Sequence, residues 1–147
     1  MKRLILPLLT IAAVVAVAAP FADNDRVALL GDSVTHWGYY TSQIQNYYYT
    51  RFPDKDIQIW NCGVGGNTVD EAMCRLEGDL FARKPTAVSI LFGMNDVGVD
   101  GYRTNAPAWA IAARPKRYSI FTNDVRKLKA SLDKGCPHAK LTWCTPV

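Results

Sequence analysis

The sequence predicts one α/β domain in which a central parallel sheet lies between two layers of helices, and three observations carry that prediction. Short apolar runs of strand length alternate with longer stretches of helical period, in the order strand, helix, strand, helix, strand, helix, strand. Two of the runs, Val27–Leu30 and Ala87–Phe92, are almost wholly apolar, as strands covered on both faces are. The turns richest in Gly, Asn and Asp each follow a strand, so right-handed crossovers bring them to one edge of the sheet.

The first strand spans Arg26 to Leu30 and hands over to Gly31-Asp32-Ser33. From Tyr39 to Arg51, the side chains Tyr40, Ile44, Tyr47 and Tyr48 recur at helical spacing, which lays aromatic rings on the sheet, and Phe52-Pro53 closes the helix. The Tyr47-Tyr48-Tyr49 run is read as core plus one wet ring edge, the commoner role for tyrosines so spaced. Ile57 to Trp60 alternates as a second strand and runs into Asn61-Cys62-Gly63-Val64-Gly65-Gly66-Asn67-Thr68. Thr68 or Asn67 can cap the next helix, and Glu71 completes a T-x-x-E capping box. That helix is expected to reach Phe81, burying Val69, Ala72, Met73, Leu76 and Leu80.

Pro85 ends the connection, and Ala87 to Phe92 is a third strand apolar enough for the middle of the sheet, ending in Gly93-Met94-Asn95-Asp96. From Val97 to Arg117 no period is visible; the segment holds Arg103, Pro107, Trp109, Arg114, Pro115, Lys116 and Arg117 and is expected to be a lid or rim loop. Helical period returns at Ser119, with Ile120, Val125, Leu128 and Leu132 apolar and Gly135 at the C-cap position. Lys140 to Thr145 is the fourth strand, followed by Pro146.

Lys2 and Arg3 precede an apolar stretch from Leu4 to Ala19, interrupted by Pro7 and Thr10 and followed by small residues and Asp23. At roughly sixteen residues it is shorter than the roughly twenty a bilayer span needs. A secretory leader over residues 1–22 is therefore expected, cleaved somewhere between Ala18 and Asp23, with a domain over 23–147 that is secreted or periplasmic and keeps no stable membrane span. Removing 22 of 147 residues leaves 125 and lowers the net charge from +4 to +2 with the loss of Lys2 and Arg3. So small a surplus gives no argument for a nucleic-acid partner, and none is expected. Export permits disulfides among Cys62, Cys74, Cys136 and Cys144, and all three pairings stay open. With no C-x-x-C and no paired histidines, neither a metal nor a cofactor is expected.

A serine becomes a nucleophile when a base takes its proton and donors await the oxyanion. Ser33 stands where a strand becomes a helix, so backbone N–H groups at a helix start can face an incoming carbonyl. Gly66, lacking a side chain, lets a backbone N–H approach closely, and Asn95 adds an amide N–H from the third turn.

These residues resemble the sequence blocks of the GDSL or SGNH hydrolases. GDSVTHWG, from Gly31, matches GDSxxxxG; NCGVGGNT matches NxGxxGxT at Asn61, Gly63, Gly66 and Thr68; and GMND matches GxND at Gly93, Asn95 and Asp96. The resemblance covers most of the chain from Val27 to Pro146. It implies a flavodoxin-like three-layer fold and a serine esterase, in which Ser33 is the nucleophile. The Ser33 N–H, Gly66 N–H and Asn95 side chain would form the oxyanion hole, with Asp32 and Asp96 supporting their turns. It further implies a carboxylic ester substrate, such as an acetylated carbohydrate or a short-chain acyl ester, hydrolysed through an acyl-enzyme.

The family's last block, DxxH, which supplies the base and its orienting acid, has no match in the chain. His36 lies one turn past Ser33, and His138 precedes the fourth strand, at the sheet's other edge, roughly five residues of ~3.3 Å from the site. The chain is accordingly read as truncated, its last strand and helix missing. A catalytically impaired fragment or pseudoenzyme that binds carbohydrate or lipid, with Trp37, Trp109 and the basic segment as ligand contacts, is the alternative. A nucleotide-binding reading fails, because Gly63-Val64-Gly65-Gly66 continues to Thr68 where G-x-G-x-x-G needs glycine.

Overall fold

The computed structural model describes residues 21–145. The leader expected over 1–22 lies outside them except for Phe21 and Ala22, as does Pro146. Four strands, β1 (Arg26–Gly31), β2 (Gln58–Gly63), β3 (Ala87–Leu91) and β4 (Lys140–Cys144), form a sheet of order β2-β1-β3-β4. Every pairing is parallel, with Gly31 level with Gly63 on one side and with Leu91 on the other, and Leu91 level with Cys144. The chain moves one way from β1 to β2 and back the other way to β3 and β4. Right-handed crossovers then put the first connection on one face and the later two on the opposite face, which gives the expected three layers.

On the first face, helix α2 (Tyr39–Arg51) packs Tyr40, Ile44 and Tyr48 against Val27, Leu29, Ile57 and Ile59. Phe21 stacks on Tyr48 with ring centroids 4.6 Å apart. Tyr47, expected in the core, is half exposed and meets Tyr48 edge-on. Tyr49 serves the sheet edge instead. Because β2 is an edge strand, the Ile59 N–H donates to the Tyr49 hydroxyl at 3.3 Å while Gln45 Nε2 donates to the Ile59 carbonyl at 2.9 Å. One helix thereby satisfies both outward groups of an edge residue that would otherwise invite another strand.

The opposite face carries the larger core, in which Ala28, Leu30, Val88 and Ile90 meet Val69, Ala72, Leu76, Leu80, Leu128 and Leu132. The helix expected from Thr68 to Phe81 is instead three pieces: α3 (Val69–Met73), α4 (Leu76–Asp79) and a 3-10 turn, Phe81–Arg83. Its capping box forms as the sequence predicts. The break falls at Cys74 and Arg75, whose amides bond three residues back rather than four.

The segment expected to be a loop from Val97 to Arg117 is corrected more deeply. After α5 (Met94–Val97) and a 3-10 turn at Val99–Tyr102, a single helix α6 runs from Ala108 to Gly135 with Pro115 inside it. Between Ile111 and Ile120 that helix is mostly exposed, so no apolar period marks it in the sequence. Two of the basic residues of the expected loop have partners within it: Arg114 donates to the Gly101 carbonyl and lies 4.7 Å from the Tyr102 ring, and Arg103 forms an exposed pair with Asp100. Gly135 is the last helical residue rather than the cap; any side chain on it would collide with the Phe81 ring.

Because Pro115 removes a helical hydrogen bond on an exposed face, Pro115→Ala should stabilise the protein. The gain is about 3 kcal/mol, the net cost of an interior proline relative to alanine, in which proline's restraint of the unfolded chain is already included. Urea denaturation reads it directly, and an unchanged or lowered midpoint would count against the account.

Candidate active site

All three sequence blocks arrive at the carboxyl edge of the sheet, and the site lies where the strand order reverses, between β1 and β3. In open α/β sheets this is where a crevice opens. Ser33 is the first residue of α1 (Ser33–His36), a single turn whose start is capped by Asp32. Asp32 is 2% exposed, and its Oδ1 accepts the Val34 N–H at 3.0 Å. The Ser33 N–H, at the first helical position, has no acceptor within its own helix.

The second loop, Val64 to Thr68, is tied to both neighbours. Its Val64 N–H donates to the Gly31 carbonyl at 3.1 Å, and Asn95 Nδ2 donates to the Asn67 carbonyl at 2.9 Å. Asp96 Oδ1 accepts the Val69 N–H at 2.8 Å, fastening the third loop to the start of α3. Gly66 sits between these ties with φ +83°, the left-handed region that favours glycine, and an added Cβ there would meet nothing within 4 Å. Its requirement is thus backbone conformation beside open space rather than close approach of two parts of the fold. Among the described residues the Gly66 N–H makes no hydrogen bond. One Asn95 amide hydrogen holds Asn67, leaving the second for a ligand.

Two residues complete the frame: Asn61, matched in the second block but given no role there, and Arg75, which sequence reasoning passed over. Asn61 Nδ2 donates to the Thr35 carbonyl at 2.7 Å and its Oδ1 accepts the Gly63 N–H at 2.9 Å, locking the end of α1 onto the end of β2. Arg75, whose side chain is 19% exposed, reaches Asn67 Oδ1 and the carbonyls of Cys62 and Gly31 from the break between α3 and α4. A charged residue beside the apolar positions Ala72, Met73 and Leu76 was the available signal.

Neither histidine hydrogen-bonds Ser33. His36 Nδ1 lies 3.2 Å from the Gly63 carbonyl, which can only accept, so that nitrogen carries the proton. His138 shares a cavity with Arg26 and Lys84 at the amino ends of the strands. Beside the Ser33 turn, a cavity of about 330 Å³ is bordered by Asp32, Val34, Tyr40, Leu91, Phe92 and Met94. All four cysteines are free, Cys62 and Cys136 buried, Cys74 and Cys144 exposed. Among the described residues there is no group of three metal-capable side chains, and no helix long and apolar enough to cross a membrane.

Desolvation pushes the Asp96 carboxyl above the ordinary carboxylate range; backbone hydrogen bonds oppose the shift, and the nearby Asp32 charge adds to it. Its Oδ2 is buried with no partner among the described residues, a placement that costs least when the group is neutral. A native pKa above the unfolded one means the native state binds the extra proton, so this group's stabilisation is present below the unfolded pKa and is lost as pH rises through the native one. Asp96→Asn should therefore remove a downward slope of stability with rising pH, just above the ordinary aspartate pKa. Denaturation of both proteins across acid pH checks it, and parallel curves would contradict it.

A model of the GDSL-like lipase/acylhydrolase family matches residues 29–147. The chain is 31% identical over 89 residues to an acetylxylan esterase of Geobacillus stearothermophilus, covering 50% of this chain and 41% of that protein. It is 36% identical over 44 residues to the uncharacterized lipoprotein YqeF of Bacillus subtilis (strain 168), covering 30% of this chain and 18% of that one. Among solved structures, a gut microbial diltiazem-metabolizing enzyme superposes with TM-score 0.72 at 34% identity, over 84% of this chain and 27% of that one. The acetylxylan esterase Axe2 of Geobacillus stearothermophilus superposes with TM-score 0.62 at 22% identity, over 82% and 59%, which speaks for the fold. The chain thus spans 41% of the length of the curated esterase it matches. With the sheet order, the three blocks in place and a family match running from β1 to the last residue, this chain belongs to the GDSL-like lipase/acylhydrolase family.

Proposed function

We propose that the protein hydrolyses a carboxylic ester by acyl transfer through Ser33. The observation that carries this reading is the convergence of Ser33, Gly66 and Asn95 from three successive strand ends, with the second loop hydrogen-bonded to both others. Ser33 Oγ adds to the ester carbonyl as its proton passes to water, and the carbonyl oxygen that takes up the negative charge is met by the Ser33 N–H, the Gly66 N–H and the second Asn95 amide hydrogen. Collapse of the tetrahedral species breaks the carbon–oxygen bond to the alcohol, which leaves with a proton taken from water, and the resulting acyl-Ser33 is hydrolysed by a second water that releases the acid and returns a proton to Ser33 Oγ. Asp32 and Asp96 hold the first and third loops in this arrangement.

The substrate we favour is an acetylated carbohydrate or a short-chain acyl ester, a reading supported by the acetylxylan esterase among the relatives and by the cavity beside Ser33. We further place the domain in an exported protein with its leader removed. Because Phe21 stacks on Tyr48, cleavage ahead of Phe21, toward the Ala18 end of the expected window, suits the fold better than cleavage after Ala22.

One observation favours a second reading, binding without efficient turnover: neither histidine hydrogen-bonds Ser33, so these residues leave proton transfer to water. The two readings part in one assay. Acetate release from p-nitrophenyl acetate and from acetylated xylo-oligosaccharides, slow but saturable and lost in Ser33→Ala, supports the esterase. Saturable carbohydrate binding with no acetate released supports the other.

A further inference from the structure

We propose that Arg75 is a positioning residue for this site, setting the Gly66 N–H and the Asn95 amide through the loop residue between them. The inference rests on the esterase reading for its consequence, though not for its geometry. The guanidinium makes four hydrogen bonds to separate parts of the chain. Nε donates to Asn67 Oδ1 at 2.8 Å, Nη1 to the Cys62 carbonyl at 3.0 Å and to Asp79 Oδ2 at 2.6 Å, and Nη2 to the Gly31 carbonyl at 3.4 Å. Gly31 and Cys62 are the ends of adjacent strands, one leading directly to Asp32 and Ser33 and the other to the second loop.

Asn67 is gripped on two sides, its side chain by Arg75 and its carbonyl by Asn95 Nδ2 at 2.9 Å. Its own N–H closes back on the Val64 carbonyl at 3.2 Å, so the turn containing Gly66 is a ring pinned at Asn67. Arg75 thereby touches the first loop's strand and the second loop together while sharing a partner with the third. A planar fork with five N–H groups can do this; a lysine, a point charge with three mobile donors, cannot hold all of these acceptors at once. Asp79, one turn on, accepts from the same guanidinium and fixes its orientation.

The test compares Arg75→Met and Arg75→Lys with the unaltered protein, by two independent readouts. In ¹H–¹⁵N spectra, Arg75→Met should shift the Gly66 and Asn67 amides and the Asn95 side-chain amide, and speed exchange of the latter with water. Signals from Val88, Leu128 and Leu132 should stay in place. In reaction with a fluorophosphonate, the maximal rate of adduct formation on Ser33 should fall about 10- to 100-fold with half-saturation unchanged, the size expected when reacting groups are misplaced by about an ångström. Added guanidinium ion should restore part of the rate. If Arg75→Met does not fold, Arg75→Lys carries the same comparison.

A rate loss tracking only a lower melting temperature, or unmoved Gly66, Asn67 and Asn95 resonances, would overturn the proposal. If the unaltered protein forms no adduct, the esterase reading has failed, and the spectra alone decide whether Arg75 positions the loop.

Discussion

Replacing Ser33 by alanine should abolish covalent labelling by a fluorophosphonate and remove the saturable ester turnover; because neither histidine hydrogen-bonds Ser33, the fall in rate is smaller than the roughly thousandfold or more that loss of a serine costs beside its base, since these groups act as a unit. The fold should hardly notice. Ser33 is half-buried, the cap of α1 is made by the Asp32 carboxylate, and the contact between α1 and β2 is made by Asn61. The expected stability change is within about 0.5 kcal/mol, as for changes away from buried networks. Mass spectrometry of the peptide containing Ser33, beside a urea titration of the same sample, tests both halves. Equal labelling of the variant would move the nucleophile elsewhere, and a large loss of stability would mean the hydroxyl carries a structural bond that the fold does not show.

Gly63→Ala should do the reverse, damaging fold and site together. An added methyl would stand 2.7 Å from the Thr35 carbonyl carbon and 2.7 Å from its Cβ, and against the His36 amide nitrogen. These are mostly backbone atoms of the helix that carries Ser33, so no flexible side chain can swing aside. Either the end of β2 or α1 must move, at a cost of about 1–3 kcal/mol for overpacking, occasionally more. A shift of α1 relative to Gly66 and Asn95 should also lower the Ser33 reaction rate about 100-fold. Gly65→Ala is the control, since a Cβ there meets nothing within 4 Å. Should Gly63→Ala unfold at the same urea concentration as Gly65→Ala, the close packing of β2 against α1 is not what the fold implies.

What could be read in the linear chain was what depends on local chemistry or on residue type at fixed spacing. Apolar runs marked β1 and β3, because burial on both faces leaves little room for polar residues, whereas alternation marked the edge strand β2 and the short run from Lys140 marked β4. Thr68 and Glu71 announced the start of α3 because a capping box is closed within four residues. The Gly31, Gly63 and Gly93 turns marked the site for the same reason.

Less of α6 was legible. Its first ten residues face solvent for the most part, so nothing selects an apolar stripe, and Pro115 reads as a stop although the helix continues through it. The predicted lid was in large part this helix. The helix break at Arg75 was equally hidden, because it is set by acceptors on β1 and β2, far away in sequence.

The sequence by itself determined the four strands and the family, and it singled out Ser33, Gly66 and Asn95 as candidates, since those readings rest on side-chain chemistry and on turns a few residues long. Tertiary structure alone decided how they work together. Only the assembled fold shows Asn95 spending one amide hydrogen on Asn67, Arg75 binding two strand ends to the loop between them, and Asp96 burying an oxygen that has no partner among the described residues. The physical reason is range: a cap or a turn is satisfied by its neighbours along the chain, whereas desolvation and an arginine's fork are satisfied only by what folding brings close.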